Sequence, residues 1–420
     1  MLIRFAVSNF RSINKTTELS MVAVDENTSS PFYQPNIKVN LVPEAALYGA
    51  NAAGKSNILL ALQWLKYAVA ASLKFWDDTV PIEQFALAQK NNQSSSFELE
   101  MLVDDVHYEY YLDVNRQQIE YEAVYITKKF ERICLFERQE DDVVFDNRVM
   151  RQDAIQELLT SRTLILSVIA RYREPNVIKF VDSILNMRLM GESIENYQML
   201  SLLDSVTQTR QLFDDDNMPQ PTLFDEIDTV AVYRERRKRA LAWLQMADLG
   251  ISGVRIIKDP DRRRRKNMDV HLLHTTQGGD FPLDFSQESE GTKVWFNLIG
   301  PILDVLDSGS LMVFDELDAS LHPVLSAQLL KIFRDPEINV NGAQILFSSH
   351  DTSLMKYLHS DEIWIVEKRN GATGLSSLAS FDSERVRKSV DLESGYLHGH
   401  FGGIPNIDLA QLLRSKGVSI

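Results

Sequence analysis

The sequence predicts an α/β protein: a mixed sheet around a glycine-rich loop, an antiparallel β portion and a helical insertion. Three observations predict it. Gly49-Ala50-Asn51-Ala52-Ala53-Gly54-Lys55-Ser56 is a complete G-x-x-x-x-G-K-S pattern, with the strand-like run Ala45-Ala46-Leu47-Tyr48 before it and the helical run Ile58-Leu59-Leu60-Ala61-Leu62 after it. Residues from about Ser95 to Phe145 alternate apolar and polar with a period of two. Leu311-Met312-Val313-Phe314-Asp315-Glu316 is an apolar strand ending in two carboxylates.

Each element follows in order. Residues 2–8 alternate as a half-buried strand does and lead into Asn9-Phe10-Arg11-Ser12, and Thr17-Glu18-Leu19-Ser20-Met21-Val22 reads as a second strand. In the glycine-rich loop, Gly49 and Gly54 let successive backbone N–H groups turn inward around a phosphate, and the next helix adds its partial positive charge. Lys55 suits the β- and γ-phosphates and Ser56 offers a hydroxyl to Mg²⁺. Asn51 and Asn57 join the same candidate nucleotide-binding set. The helix runs to about Ser72. In the β stretch, Phe97–Leu102, His107–Leu112 and Tyr121–Ile126 are separated by Asp104-Asp105 and Asn115-Arg116, which suit hairpin turns.

The pattern changes near Arg151. Residues 151–205 carry helical spacing, with Leu158, Ile165 and Ile169 on one side and Val177, Phe180, Val181 and Ile184 later. Asp214-Asp215-Asp216-Asn217-Met218-Pro219-Gln220-Pro221 reads as an exposed loop, and a second helical stretch spans about Asp225 to Met246. No heptads persist over three or four repeats, and no internal repeat is present. Strand patterns return at Gly253–Ile257 and Asp269–Leu273. Between them, Arg262-Arg263-Arg264-Arg265-Lys266 suits a phosphate backbone, DNA or RNA, or an acidic partner; a solvated hairpin tip is the plainer alternative.

Composition narrows the classes. The 420 residues suffice for two or three domains, and 44% hydrophobic with 25% charged residues is ordinary for a globular chain. A formal net charge of −15 excludes a polybasic nucleic-acid binder as a whole. A single cysteine, Cys134, allows no internal disulfide and suits a reducing cytoplasm. Met1–Ala6 shows no basic segment followed by an apolar core, and no apolar run approaches the roughly 20 residues that span a bilayer. No membrane role is expected.

The remaining chemistry clusters late. A strand ending at Asp315 suits a Mg²⁺-holding carboxylate, and Glu316 suits a general base or a residue orienting water in line with a γ-phosphate. Ser286-Gln287-Glu288-Ser289-Glu290-Gly291-Thr292-Lys293 precedes an apolar helix from Val294, and serine and glycine at a helix start make an anion site. Gln344–Asp351 is a strand ending in His350, whose imidazole suits a γ-phosphate or its attacking water.

In this order the motifs resemble the ABC-type ATPase head, in particular its SMC/RecF-like branch. The resemblance covers about 1–150 and 250–420. It implies that Arg11, in Asn9–Ser12, approaches the nucleotide. Ser289-Glu290-Gly291-Thr292 resembles the signature motif, acting in trans through Ser289, Gly291 and Thr292. Ser320-Leu321-His322-Pro323 resembles the D-loop, with Ser320 and His322, and His350 matches the switch histidine. Two departures stand out. The signature carries Glu-Gly-Thr after its serine in place of Gly-Gly-Gln, which disfavours a transporter. Gln84, Gln89 and Gln93 all remain open for the Q-loop glutamine. Ser394-Gly395-Tyr396-Leu397-His398-Gly399-His400-Phe401-Gly402-Gly403-Ile404-Pro405-Asn406-Ile407, with the helical insertion, resembles bacterial AAA15/RloA/AbiL-type ATPases of anti-phage and abortive-infection loci.

The resemblance implies one ABC-type ATPase head with halves at 1–149 and 249–420 and a helical insertion at 150–248. It implies ATP and Mg²⁺ as ligands and Mg-dependent hydrolysis. It also implies a homodimer or higher oligomer of heads, and a separate effector protein such as a nuclease. Two alternatives remain: a RecF-like DNA repair or recombination ATPase, marked by direct salt-sensitive DNA binding, and a nucleotide-gated scaffold with little hydrolysis.

Overall fold

The structure is a computed structural model that describes residues 1–24, 32–87, 93–128, 131–191, 205–219, 229–258, 268–381 and 392–404. The chain divides into two compact units: Asn186–Ile345 forms one, and Leu2–Leu185 with the chain from Leu346 onward forms the other.

The first stretch of the two-part unit holds β1 (Leu2–Ser8), β2 (Thr17–Ser20), β3 (Phe32–Gln34), β4 (Val39–Leu41), β5 (Glu44–Tyr48) and α1 (Lys55–Phe75). It continues through β6 (Ser95–Val103), β7 (Val106–Val114), β8 (Ile119–Lys128), β9 (Glu131–Gln139), β10 (Asp142–Phe145), α2 (Gln152–Gln156), α3 (Ile165–Tyr172) and α4 (Ile178–Leu185). Seven strands make an antiparallel sheet in the order β10-β9-β8-β7-β6-β1-β2. In β6, Phe97, Leu99 and Met101 are buried while Ser96, Glu98 and Glu100 between them are not, so the alternation in the sequence is the burial of one face. The hairpins turn at Asp104–Asp105 and at Asn115–Gln118, as the polar residues there suggest.

Helix α1 is continuous because nothing in Lys55–Phe75 interrupts it: it contains neither Pro nor Gly. It is buried almost all round. Trp64 stacks on Phe97 with ring centroids 4.6 Å apart and donates its indole N–H to Pro81 O at 2.8 Å. Its length and hydropathy would suffice to cross a membrane, which the sequence reading of short apolar runs overlooked. Yet 78% of its apolar window lies inside the fold, which makes it a core helix. Two side-chain hydrogen bonds join α1 to α3: Leu164 N–H donates to Ser72 Oγ at 3.1 Å and Leu73 N–H to Ser167 Oγ at 3.2 Å. Glu122 of β8, fully buried, accepts from Ile165 N–H at 2.8 Å, Leu166 N–H at 3.2 Å and the Tyr110 hydroxyl at 3.2 Å. It therefore satisfies the open N-terminus of α3. Burial outweighs these hydrogen bonds and pushes the Glu122 carboxyl up to about 7.

The unit Asn186–Ile345 holds β11 (Arg188–Met190), α5 (Ser205–Phe213), α6 (Thr229–Ala247), β12 (Ile251–Lys258), β13 (Met268–Thr276), β14 (Gly279–Asp284), α7 (Glu290–Ser308), β15 (Leu311–Phe314), α8 (Leu317–Ser320) and α9 (Pro323–Arg334). β12, β13 and β14 form an antiparallel three-stranded sheet, and β11 pairs parallel with β15. β11 corrects one local expectation, since helical spacing extends across residues 188–190 in the sequence. Helix α7 is the hub. Its internal Pro301 has no N–H, which leaves the Asn297 carbonyl four residues back without its helical donor. The buried Thr209 hydroxyl of α5 donates to that carbonyl at 3.3 Å and accepts from Gly300 N–H at 2.8 Å. Gly300 is required there, because a Cβ would lie 2.7 Å from Thr209 N. α6 docks through charge: Arg236 pairs with Asp304 and Asp307, and Arg239 with Asp307 at 3.0 Å. The basic run of α6 is thus largely spent inside its own unit.

β16 (Gln344–Ser348) returns the chain to the two-part unit, followed by β17 (Ile363–Arg369), β18 (Ala372–Ser377) and α10 (Leu392–Leu397). The strands lie in the order β16-β5-β17-β18. β17 runs parallel to β5, with Ile363, Trp364 and Ile365 opposite Ala46, Leu47 and Tyr48.

Candidate nucleotide site

The candidate residues fall on both units, and each set is described in its own. Around the glycine-rich loop, the loop leaves the fully buried β5 at Gly49 and enters α1 at Lys55. Gly49 is held by close approach: a Cβ there would lie 2.3 Å from Val366 O of β17. Gly54, the N-cap of α1, has φ of +110°, and its Cβ would lie 2.0 Å from Thr373 Oγ1 and 2.9 Å from Ser12 Oγ. Lys55, only 6% exposed, donates from Nζ to Gly49 O at 2.9 Å and Ala50 O at 3.4 Å, which keeps its ammonium inside the loop. Asn51 is exposed and Ser56 half-buried.

A directed hydrogen-bond chain supports the loop. Asn57 Nδ2 donates to Ser12 Oγ at 2.6 Å, and Thr373 Oγ1 donates to Ala53 O at 2.8 Å. Each hydroxyl has one proton, so Ser12 donates to Thr373 Oγ1 across their 2.7 Å contact. The β1–β2 turn, the loop and β18 are thereby one piece. Thr373 was missed in the sequence because nothing local marks it: its contact to Ala53 spans 320 residues. Arg11 sits on the same turn with φ of +50°, its N–H donating to Glu83 O at 2.8 Å and its Nε 3.3 Å from Glu83 Oε2. Gln84 donates to Gln93 O at 2.7 Å, and Asn9 Nδ2 donates to the same carbonyl at 2.7 Å, so two of the three glutamines lie beside this turn. Gln89 lies outside the described residues.

His350, exposed, follows β16, which neighbours β5. Ser349 N–H donates to Leu47 O at 3.2 Å, and the Tyr48 hydroxyl donates to Asp351 O at 3.2 Å, so the histidine is bracketed by two contacts to the strand that feeds the loop. The C-terminal glycine-rich stretch packs here as well. Gly403 N–H donates to Glu367 Oε1 at 2.9 Å, Tyr396 OH donates to Gly403 O at 3.1 Å, and a Cβ on Gly403 would lie 3.6 Å from Gly49 Cα. Asn406 and Ile407 lie outside the described residues, as does Arg262–Lys266.

In the unit Asn186–Ile345, every residue of β15 is buried, and Asp315 just after it is 1% exposed. Glu316 has φ of +57° and ψ of +59° and caps α8, a conformation uncommon for a residue with a side chain. His322 caps α9: its Nδ1 accepts from Val324 N–H at 3.3 Å, with Pro323 in the first turn. Ser320 ends α8. Ser289 is the N-cap of α7, accepting from Thr292 N–H at 3.1 Å. Ser289, Glu290 and Gly291 are exposed while Thr292 is buried, so a 19-residue helix presents its N-terminus outward. Glu288, missed in the sequence, is buried beside them and bonds His274 Nε2 at 2.7 Å, tying the signature-like turn to β13.

The donor chemistry around the loop fits a nucleotide with a hard cation, with a hydroxyl at a helix start and a lysine inside a glycine-bounded loop; in the other unit a buried carboxylate at a strand end is likewise a hard oxygen donor. The sequence matches the AAA_21 family, described as "AAA domain, putative AbiEii toxin, Type IV TA system", over residues 45–356, more than half of the chain. The chain belongs to that family. No curated protein matches it. Similar solved structures include an SMC head bound to the C-terminal winged-helix domain of ScpA: 13% identity, 92% of this chain and 99% of that one covered, TM-score 0.45. The SMC head from Thermotoga maritima gives 12% identity, 90% and 98% coverage, and a TM-score of 0.40. An SMC head derived from Pyrococcus furiosus, bound to the C-terminal domain of ScpA, gives 12%, 92% and 98%, and 0.43. Likeness at this level carries no functional inference.

Proposed function

We propose that this member of the AAA_21 ATPase family binds ATP with Mg²⁺, hydrolyses it, and works as the sensor or regulatory subunit of a bacterial anti-phage, abortive-infection-type system in the cytoplasm. The observation that carries the nucleotide part is the glycine-bounded loop with Lys55 seated inside it at the start of α1. Gly49, Asn51, Gly54, Lys55, Ser56 and Asn57 cradle the phosphates, and Arg11 approaches them from its turn. Ser56 and Asp315 would hold Mg²⁺, which when bound draws charge from the transferring phosphoryl oxygens. Glu316 takes the proton of an in-line water or orients that water, and His350 contacts the γ-phosphate or the same water. Two heads sandwich two nucleotides, with Ser289, Gly291 and Thr292 of one completing the site of the other and the Ser320–His322 turn beside it.

The defence role is supported by the family description and by the resemblance of the C-terminal glycine-rich stretch, and the effector under control is a separate protein such as a nuclease. Two experiments test this reading. Mixing Ser289→Arg with Lys55→Ala subunits leaves one composite site per heterodimer intact, and half of the dimers in an equal mixture are heterodimers, so turnover should recover toward about a quarter of the wild-type value; a mixture no better than either mutant contradicts trans action. Expressing the chain with its neighbouring gene should lower phage plating in a Lys55-dependent way, and plating equal to the empty vector contradicts the defence role.

A further inference from the structure

We propose that β11 and Gly191 form a positioning element for the carboxylate pair Asp315 and Glu316, held in place by Asp304 of α7. Its parts all lie in the unit Asn186–Ile345. β11 runs parallel to β15, with Arg188, Leu189 and Met190 opposite Met312, Val313 and Phe314, so it ends where the carboxylates begin. Asp315 N–H donates to Met190 O at 2.9 Å, which fixes the peptide that carries the first carboxylate. Gly191 then closes on the same backbone. A Cβ there would lie 2.2 Å from Asp315 O and 2.9 Å from Asp315 N, and its φ is +107°. Only glycine meets both conditions.

The next residue explains why such a clamp is needed. Glu316 adopts a left-handed conformation that a residue with a side chain keeps only where its surroundings over-determine it. β11 has three residues, too few to hold register by pairing alone. Arg188 supplies the anchor. Its guanidinium lies 3.0 Å from Asp304 Oδ2, and Arg236 of α6 takes the other oxygen of the same carboxylate. Both arginines and Asp304 are mostly shielded from water, so the bridge is stronger than a surface pair. One carboxylate on α7 therefore ties α6 to β11, and β11 fixes the backbone that presents Asp315 and Glu316.

This rests on the ATP reading of the two carboxylates, and the test separates the two. ATP affinity in EDTA, the gain in affinity on adding Mg²⁺, and kcat with KM for ATP are measured for the wild-type chain, Gly191→Ala, Arg188→Gln and Arg188→Lys. Affinity in EDTA should be unchanged. The Mg²⁺ gain and kcat should fall about 10- to 100-fold in Gly191→Ala, the range seen when groups behind a metal ligand are lost, and by less in Arg188→Gln, which acts one step further back, with most of it recovered in Arg188→Lys. If Gly191→Ala does not fold, the Arg188 pair decides alone. An equal Mg²⁺ gain and kcat in all folded variants, with only the thermal midpoint lowered, would overturn the positioning role and leave the ATP reading standing. A wild-type chain that binds ATP with no Mg²⁺ gain overturns it too, and one that binds no ATP overturns both.

Discussion

Two residues show how single side chains set the behaviour of the two-part unit. Thr373 gives its one proton to Ala53 O and takes one from Ser12, so Thr373→Val removes two hydrogen bonds beside the loop at nearly constant volume. At about 1 kcal/mol each, this should weaken ATP binding by up to roughly thirtyfold by equilibrium titration. Unchanged affinity would mean that the loop holds its shape without β18. Glu122 acts on stability. Its carboxyl in the fold titrates near 7, above its ordinary range, because burial disfavours the charged form. A group raised in this way contributes its full stability below its unfolded pKa and loses it as pH rises through the folded value. The thermal midpoint should therefore decline between pH 5 and 8, and Glu122→Gln should flatten that decline. A wild-type profile rising over the same window would contradict the assignment.

Elements divide into those legible in the sequence and those that are not, and the division has a physical basis. β6 to β8 and their hairpins were readable because one face is buried and one is not, which writes the pleat into the residue order. The strand–loop–helix around Gly49–Ser56 was readable because all its determinants lie within a few positions. β11, β14 and the β17–β18 hairpin were not. β14 has no buried alternation and exists through its register with β13, and β11 exists through pairing with β15, more than 120 residues away in the chain. Of the candidate site, the motifs are visible in the residue order, while Thr373, Glu288 and Gly191 belong to contacts made only after folding. Helix α7 gives an element-scale prediction. Thr209→Val leaves the Asn297 carbonyl and Gly300 N–H without the hydroxyl that serves both, inside the core. It should destabilise the chain by about 1–3 kcal/mol in urea unfolding at an unchanged slope. A loss below about 0.5 kcal/mol would show that α5 does not support the proline-containing helix.

At the scale of the whole molecule, the candidate residues fall on two compact units: the loop, Arg11 and His350 on one, and the carboxylates with the signature-like helix start on the other. The proposed roles make Lys55 and Glu316 the two informative positions. The charge of −15 does not favour non-specific nucleic-acid binding. The most direct measurement is ATP binding and turnover by the wild-type chain, Lys55→Ala and Glu316→Gln under identical Mg²⁺ conditions. The account predicts turnover in the wild type, no measurable binding in Lys55→Ala, and retained binding with turnover lowered at least about 100-fold in Glu316→Gln. Wild-type turnover in Glu316→Gln, or undiminished ATP binding in Lys55→Ala, would contradict it.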